Sequence, residues 1–169
     1  MATTQPLRSN YANAGQPTTC FQCGEPFKLT GRADRIDLLD DGSARIIDFK
    51  TGDPPSSKQV EIGLSPQLTL EAAVLELGGF SGIPSTETQH LLYIKLSGGE
   101  PPGRLGPLDN FMVMKTAREH LAKLQTLLAA YAEETAAYIP RHIPKTENER
   151  SAFDHLSRWG EWARKEATE

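Results

Sequence analysis

The chain has 169 residues, 38% of them apolar and 24% charged, and carries a formal net charge of -4. That length and balance suit one globular domain with its own core, and no apolar run is long enough to cross a bilayer. An acidic balance argues against a protein that grips nucleic acid through a global basic surface, so any such role must be local or shared with other domains.

Residues 1–19 are polar and turn-rich, with neither the apolar run of a signal peptide nor an Arg-rich amphipathic pattern. They are expected to form a flexible leader to a core over 20–137. An extended segment and a C-terminal amphipathic helix follow over 138–169. Cys20 and Cys23 without a secretory signal suggest reduced thiols and a cytoplasmic protein. Their C-x-x-C spacing could supply half a zinc site. In a strand, however, residues three apart face opposite ways, and none of His90, His120, His142 and His155 forms a second pair by spacing. Free thiols are the expectation.

Strand-like residues on both sides of the turn "GEP" predict a short strand near 18–23 folding back on a longer one near 27–39. A third strand is expected at 44–50, then a connecting loop, "TGDPPSSKQVEIGL". "SPQLTLEAAVLELGG" predicts a helix with Ser65 as N-cap, Pro66 in the first position and Gly78-Gly79 as its stop. The near-continuous apolar run at 90–98 predicts a strand buried on both faces. Met114, Ala117, Leu121, Leu124, Leu128 and Tyr131 recur at helical spacing and predict a long helix over 110–137, its stripe facing the core. "YIPRHIPK" is too proline-rich for a helix or central strand. Ser151, Asp154 and the apolar Phe153, Leu156, Trp159 and Trp162 predict a terminal amphipathic helix.

The stretch "GRADRIDLLDDGSARIIDFKTG" carries Asp34, Asp48 and Lys50 inside a hairpin pattern. Alternation places Asp48 and Lys50 on one face. A two-residue Asp41-Gly42 turn would send the aspartates to opposite faces, whereas a three-residue Asp40-Asp41-Gly42 loop sets Asp34 across from Asp48. The second register also pairs Ile36 with Ile46, Leu38 with Ala44 and Asp37 with Arg45, so side-chain matching favours it. Two opposed carboxylates repel unless a cation lies between them, and hard oxygen ligands suit Mg²⁺ or Mn²⁺. Lys50 is placed to hold a water beside such an ion or to stabilise charge on a phosphate oxygen. A solvated hairpin face with a weak Lys-Asp ion pair would account for the same residues.

Taken together, "LTGRADRIDLLDDGSARIIDFKTG" and "GLSPQLTLEAAVLELGGF" resemble the RecB-like branch of the PD-(D/E)XK nuclease superfamily, nearest to the C-terminal nuclease domain of AddB-type helicase-nuclease subunits. The likeness runs from about Phe27 to Phe80, with looser echoes in "YIKLSGG" and "FDHLSRWGEW". It implies an α/β, restriction-endonuclease-like mixed sheet flanked by helices. It further implies Asp34 and Asp48 as metal ligands, Lys50 as catalytic, Gln67 on the following helix as a fourth site residue, and DNA as substrate. A helicase-nuclease partner subunit and a role in double-strand-break processing come with it. The family often has a tyrosine four residues after the glutamine. Glu71 stands there instead and is expected to serve as a salt-bridge partner. Arg32, Arg35 and Lys58 are the candidate DNA contacts, with His155 a weaker one. The family's usual first helix has no counterpart ahead of Thr18, so a C-terminal piece of a larger protein, or a shortened relative, is expected. The four cysteines that hold an iron-sulfur cluster in some members are reduced to two. Two other functions fit the same residues: a non-catalytic DNA-end or subunit-docking module built on the nuclease fold, and an unrelated β-rich binding domain.

Overall fold

A computed structural model of the chain describes residues 9–10, 18–19, 27–108, 111–137 and 156. In chain order the elements are β1 (Ser9–Asn10), β2 (Thr18–Thr19), β3 (Lys28–Leu29), β4 (Arg35–Leu38), β5 (Ala44–Lys50), α1 (Ser57–Glu61), α2 (Gln67–Glu76), β6 (Thr88–Leu96), β7 (Gly103–Pro107) and α3 (Val113–Ala132). The chain divides into two compact units, 1–130 and 131–169. The strands, α1, α2, the site and α3 as far as Ala130 belong to the first.

Five strands form one sheet in the order β1-β4-β5-β6-β7, and β2 pairs with β3 separately. The β4-β5 hairpin adopts the three-residue-loop register, pairing Arg35 with Ile47, Ile36 with Ile46, Asp37 with Arg45 and Leu38 with Ala44. The turn closes through Leu39 N to Ser43 O at 2.8 Å and Gly42 N to Leu39 O at 3.0 Å. Gly42 supplies the left-handed residue at φ +82°. Asp41 Oδ1 accepts from the Ser43 amide and hydroxyl, which fixes the bend from its outer side.

β6 joins β5 in parallel, with Ile46 beside Leu91 and Asp48 beside Tyr93. A parallel neighbour requires a crossover, and α1 and α2 provide it. Ile36, Ala44, Ile46, Leu91 and Tyr93 point to one face of the sheet and form the core with Val60 of α1, Leu68, Ala72 and Leu75 of α2, and Val113 and Ala117 of α3. Helix α2 lies at the centre of this layer and buries seven of its ten residues, so it shows no polar stripe. His120 of α3 ties the layer together. Its Nε2 donates to Glu61 O at 3.1 Å, and its Nδ1 lies 2.7 Å from Thr69 Oγ1.

Several expectations need correction. The leader contributes β1, an edge strand that pairs Ser9 with Asp37 and Asn10 with Ile36. The long strand over 27–39 is broken at 30–34, so β3 and β4 belong to different sheets. The loop after β5 contains α1. Its N-cap Ser56 accepts from Gln59 N while the Gln59 side chain bonds back to the Ser56 amide. Pro66, not Ser65, is the N-cap of α2 and offers no side-chain cap, the helix gaining instead the Thr69 hydroxyl bonded to Pro66 O at 2.9 Å. Its end is as expected: Gly78, at φ +71°, donates to Leu75 O and Gly79 to Val74 O, a Schellman closure. β6 buries one face fully at Leu91 and Tyr93, while Leu92 and Ile94 opposite are half-buried. β7 carries no strand pattern in the sequence, because Gly-Arg-Leu-Gly-Pro is mostly exposed and held by its backbone ladder to β6. Buried contact on α3 centres on Val113, Thr116, Ala117 and His120, with Met114 and Leu121 beside them. Residues 20–26, with Cys20 and Cys23, lie outside the described residues. So do 138–155 and 157–169, and Leu156 alone of the expected terminal helix is described, helical and exposed. Among the described residues no helix precedes β4, and no helix is long and apolar enough to cross a membrane.

Candidate active site

The third strand of the sheet delivers the central groups. Ile46, Asp48 and Lys50 alternate onto the helix-covered face, and burial falls along them as β5 runs out from under α2. Ile46 is fully enclosed, Asp48 is 3% exposed and Lys50 is half-buried. The carboxyl ends of adjacent parallel strands, here β5 and β6, are where open α/β sheets leave room for a ligand.

Gln67, the first residue of α2, reaches this end of β5. Its Nε2 donates to Asp48 Oδ1 at 2.8 Å and to Glu71 Oε1 at 3.2 Å, while its Oε1 accepts from Lys50 Nζ at 3.2 Å. Lys50 Nζ lies 2.8 Å from Asp48 Oδ2 as an ion pair, and 5.7 Å from the centre of the Tyr93 ring. Asp34, exposed at the start of β4, accepts from the Phe49 amide through Oδ2 at 3.0 Å. One more step of the hairpin register sets Asp34 beside Asp48. The structure thus brings together Asp34, Asp48, Lys50 and Gln67.

Glu71 joins them, contrary to its expected role as a salt-bridge partner. It is 8% exposed, its polar contact is to Gln67, and Oε2 is buried without a hydrogen bond. Burial, opposed by the Gln67 hydrogen bond and reinforced by the negative charges of Asp48 and Asp34, pushes its carboxyl up to about 7. Tyr93 is pushed up to about 12, chiefly by burial and then by the Asp48 and Glu71 charges. Glu71 was legible as one helical turn beyond Gln67, but its burial depends on α2 being enclosed on nearly every side. Tyr93 carried no local signal, since its place beside Asp48 follows from the parallel β5-β6 register.

The three candidate DNA contacts differ in their settings. Arg32 is exposed two residues before Asp34, and Lys58 is exposed on α1. Arg35 turns to the opposite sheet face, where its Nε lies 2.7 Å from Asp37 Oδ1 and Arg45 Nη2 lies 2.8 Å from Asp37 Oδ2. Burial raises the Asp37 carboxyl, but the hydrogen bonds and charges of Arg35 and Arg45 outweigh it and hold the group below the usual carboxylate range.

Asp34 and Asp48 are hard oxygen donors of the kind that hold Mg²⁺ or Mn²⁺. Asp48 Oδ2 is buried and pairs with the Lys50 ammonium at 2.8 Å, so it already faces positive charge at the end of β5 where a divalent ion would be held. Among the described residues no three His, Cys, Asp or Glu groups form a metal-holding cluster. Asp34 and Asp48 are the candidate donors among the described residues.

A mixed sheet with helices on its carboxylate-bearing face, and Asp-x-Lys at the end of a central strand, defines a restriction-endonuclease-like α/β fold. The chain matches the PD-(D/E)XK nuclease superfamily over residues 3–168 and belongs to that superfamily. It is 32% identical over 124 residues to an uncharacterized protein of Rickettsia bellii, the match covering 65% of this chain and 14% of that one. A second relative, the uncharacterized protein RC0550 of Rickettsia conorii, is 43% identical over 58 residues, covering 34% of this chain and 7% of its own length. The chain thus spans a small fraction of the curated relatives it matches. The solved structure of SSO0001 superposes with a TM-score of 0.38 at 14% identity, covering 72% of this chain and 52% of that one, and bears no weight.

Proposed function

We propose that the chain is the nuclease domain of a helicase-nuclease, hydrolysing DNA phosphodiester bonds with Mg²⁺ or Mn²⁺ held by Asp34 and Asp48. The observation that carries this reading is the placement of Lys50 Nζ between Asp48 Oδ2 at 2.8 Å and Gln67 Oε1 at 3.2 Å. A lysine so held offers its positive charge at a fixed point, beside the carboxylates and facing the open end of β5, where a phosphate oxygen can gain charge during hydrolysis. Gln67 sets the orientation of Asp48 through Oδ1, while Oδ2 is held by Lys50. The Tyr93 ring faces the Lys50 ammonium at 5.7 Å and favours its charged form there. A divalent ion, when bound, supplies charge neutralisation at the phosphate and a more acidic water.

The helicase-nuclease context is supported by the likeness of residues 27–80 to AddB-type nuclease domains. The much greater length of the matched relatives agrees with a domain that works inside a larger protein. Double-strand-break processing with a partner subunit in the cytoplasm is the setting this implies. Arg32 and Lys58, both exposed, are the proposed phosphate contacts on this chain, and Arg35 contributes through its pair with Asp37 rather than directly.

The test is cleavage of end-labelled single- and double-stranded DNA over Mg²⁺ and Mn²⁺ titrations, with chelator controls and Asp48→Ala and Lys50→Ala variants. Metal-dependent cleavage that disappears in both variants supports the reading. Cleavage that persists in Asp48→Ala identifies a contaminant. Absence of cleavage with DNA binding intact would instead favour a non-catalytic DNA-end or docking module.

A further inference from the structure

A slot opens next to the carboxylate cluster, between one face of α2 and the segment 29–31 that leads toward β4. Gln67, Leu70, Glu71 and Val74 recur at helical spacing and form one wall, with Phe80 beyond the helix end closing the slot's apolar side. Its volume is about 160 Å³. That is below the roughly 300 Å³ at which whole-ligand pockets begin, so it takes one ring system rather than an entire nucleotide.

Its chemistry is divided in the way a nucleobase is divided. The walls from Leu70, Val74 and Phe80 are apolar and suit the flat faces of a ring. At the end shared with the catalytic cluster stand Gln67 and Glu71, two hydrogen-bonding groups suited to a polar edge. Glu71 is more than nine-tenths buried, and its Oε2 has no hydrogen-bond partner. A buried oxygen of that kind costs free energy until something satisfies it. Gly31 keeps the other wall low, because no described atom lies within 4 Å of the position a β-carbon there would take.

We propose that this slot receives one unstacked base of the DNA strand, adjoining the phosphate that is cut, with Glu71 and Gln67 facing the base edge. The proposal rests on the nuclease reading for the path of the strand. It makes the domain selective for DNA that can offer a free base, either single-stranded or frayed at an end. A continuous duplex must first lose a pair. Burial of a ring against Leu70, Val74 and Phe80 is sequence-tolerant, because every base has an apolar face.

The test needs no cleavage and is carried out in chelator. Deoxyadenosine 5′-monophosphate and deoxyribose 5-phosphate are titrated onto the chain and followed by saturation-transfer NMR. The nucleotide should bind at least about tenfold more tightly than the sugar phosphate, a modest share of what one stacked base contributes. Saturation should reach the adenine protons before the sugar protons. Gly31→Leu should fill the slot and remove both effects, with circular dichroism confirming its fold. Equal binding of the two probes by the unaltered chain would overturn the proposal whatever the variant does, as would undiminished adenine saturation in a folded Gly31→Leu. A chain that cleaves DNA but binds the two probes equally loses the slot and keeps the nuclease reading. A chain that captures adenine but never cleaves loses the nuclease reading and keeps the slot as a base-binding site.

Discussion

Gln67 Nε2 donates to Asp48 Oδ1 at 2.8 Å, latching the first turn of α2 to the carboxyl end of β5. The same amide accepts from Lys50 and donates to Glu71, so one side chain orients three charged neighbours. Groups that orient ligand side chains cost about 10- to 100-fold in activity when removed. Gln67→Leu is therefore expected to lower kcat/KM for DNA cleavage by about that factor. Stability should also fall, by about 1–3 kcal/mol, because the nearly buried Asp48 and Glu71 each lose a hydrogen-bond donor. Steady-state kinetics under conditions where both proteins are folded, beside a melting curve, would check both, and an unchanged kcat/KM in the folded variant would mean that Gln67 serves the fold alone.

Lys50 and Asp48 couple activity to stability in a way a double variant can read. Lys50→Ala removes the cation beside a nearly buried carboxylate. Cleavage should fall by about 10²- to 10⁴-fold, the range for loss of a positioned proton-handling or charged group. Stability should fall by about 1–3 kcal/mol, because Asp48 Oδ2 is left without compensation. Asp48→Ala together with Lys50→Ala should recover most of that stability and none of the activity. Urea denaturation of the single and double variants measures the coupling directly.

Glu71 makes stability depend on pH near neutrality. Burial raises its folded carboxyl from 4.5 to about 7. The folded state thus holds the proton more tightly than the unfolded chain. The stability this provides is complete below about pH 4.5 and is lost as pH rises through about 7. The loss is at most about 3 kcal/mol, from the size of the shift. Glu71→Gln should abolish it, so the variant should gain on the unaltered chain between pH 5 and 8, by about that amount at the upper end. Melting temperatures of both proteins across that range, without metal or DNA, would show the divergence. Parallel curves would place Glu71 in a wetter site than its burial indicates.

Legibility followed the range of the interactions involved. The hairpin register could be read because three cross-strand pairs, Ile36-Ile46, Leu38-Ala44 and Asp37-Arg45, agree with one loop length and conflict with the other. The end of α2 could be read from Gly78 and Gly79, whose cap is local. Helix α1 carried an equally local sign, Ser56 three residues before Gln59, but the prolines and glycines around it masked five helical residues anchored by Val60. The break at 30–34 and the pairing of Ser9 with Asp37 depend on partners distant in sequence, as does the burial of Glu71 beneath its neighbours. Asp34, Asp48, Lys50 and Gln67 are legible as a set because their spacing resembles a family pattern. Their mutual distances required the α2 crossover to be built.

The opposite face of the sheet offers a control that leaves the site untouched. Asp37 is fully buried and bonded by Arg35 and Arg45, while Asp48 and Lys50 point the other way. Burial alone would raise the Asp37 carboxyl, but the two guanidinium groups outweigh it and lower it below the model-peptide 3.8. The stability contributed by this lowering is present above that value and is lost as pH falls through the lower folded value, so it contributes to acid unfolding below about pH 4 and not near neutrality. Arg45→Ala removes one charged hydrogen-bonding partner and should cost about 2 kcal/mol at pH 7. The cost should shrink on acidification as Asp37 takes up its proton. Cleavage by the folded fraction should remain within about twofold of the unaltered chain, since variants remote from a site are usually energetically independent of it. Urea titrations at pH 7 and pH 3, beside cleavage assays at pH 7, separate these effects. An Arg45→Ala protein of unchanged stability would show that Arg35 alone satisfies Asp37.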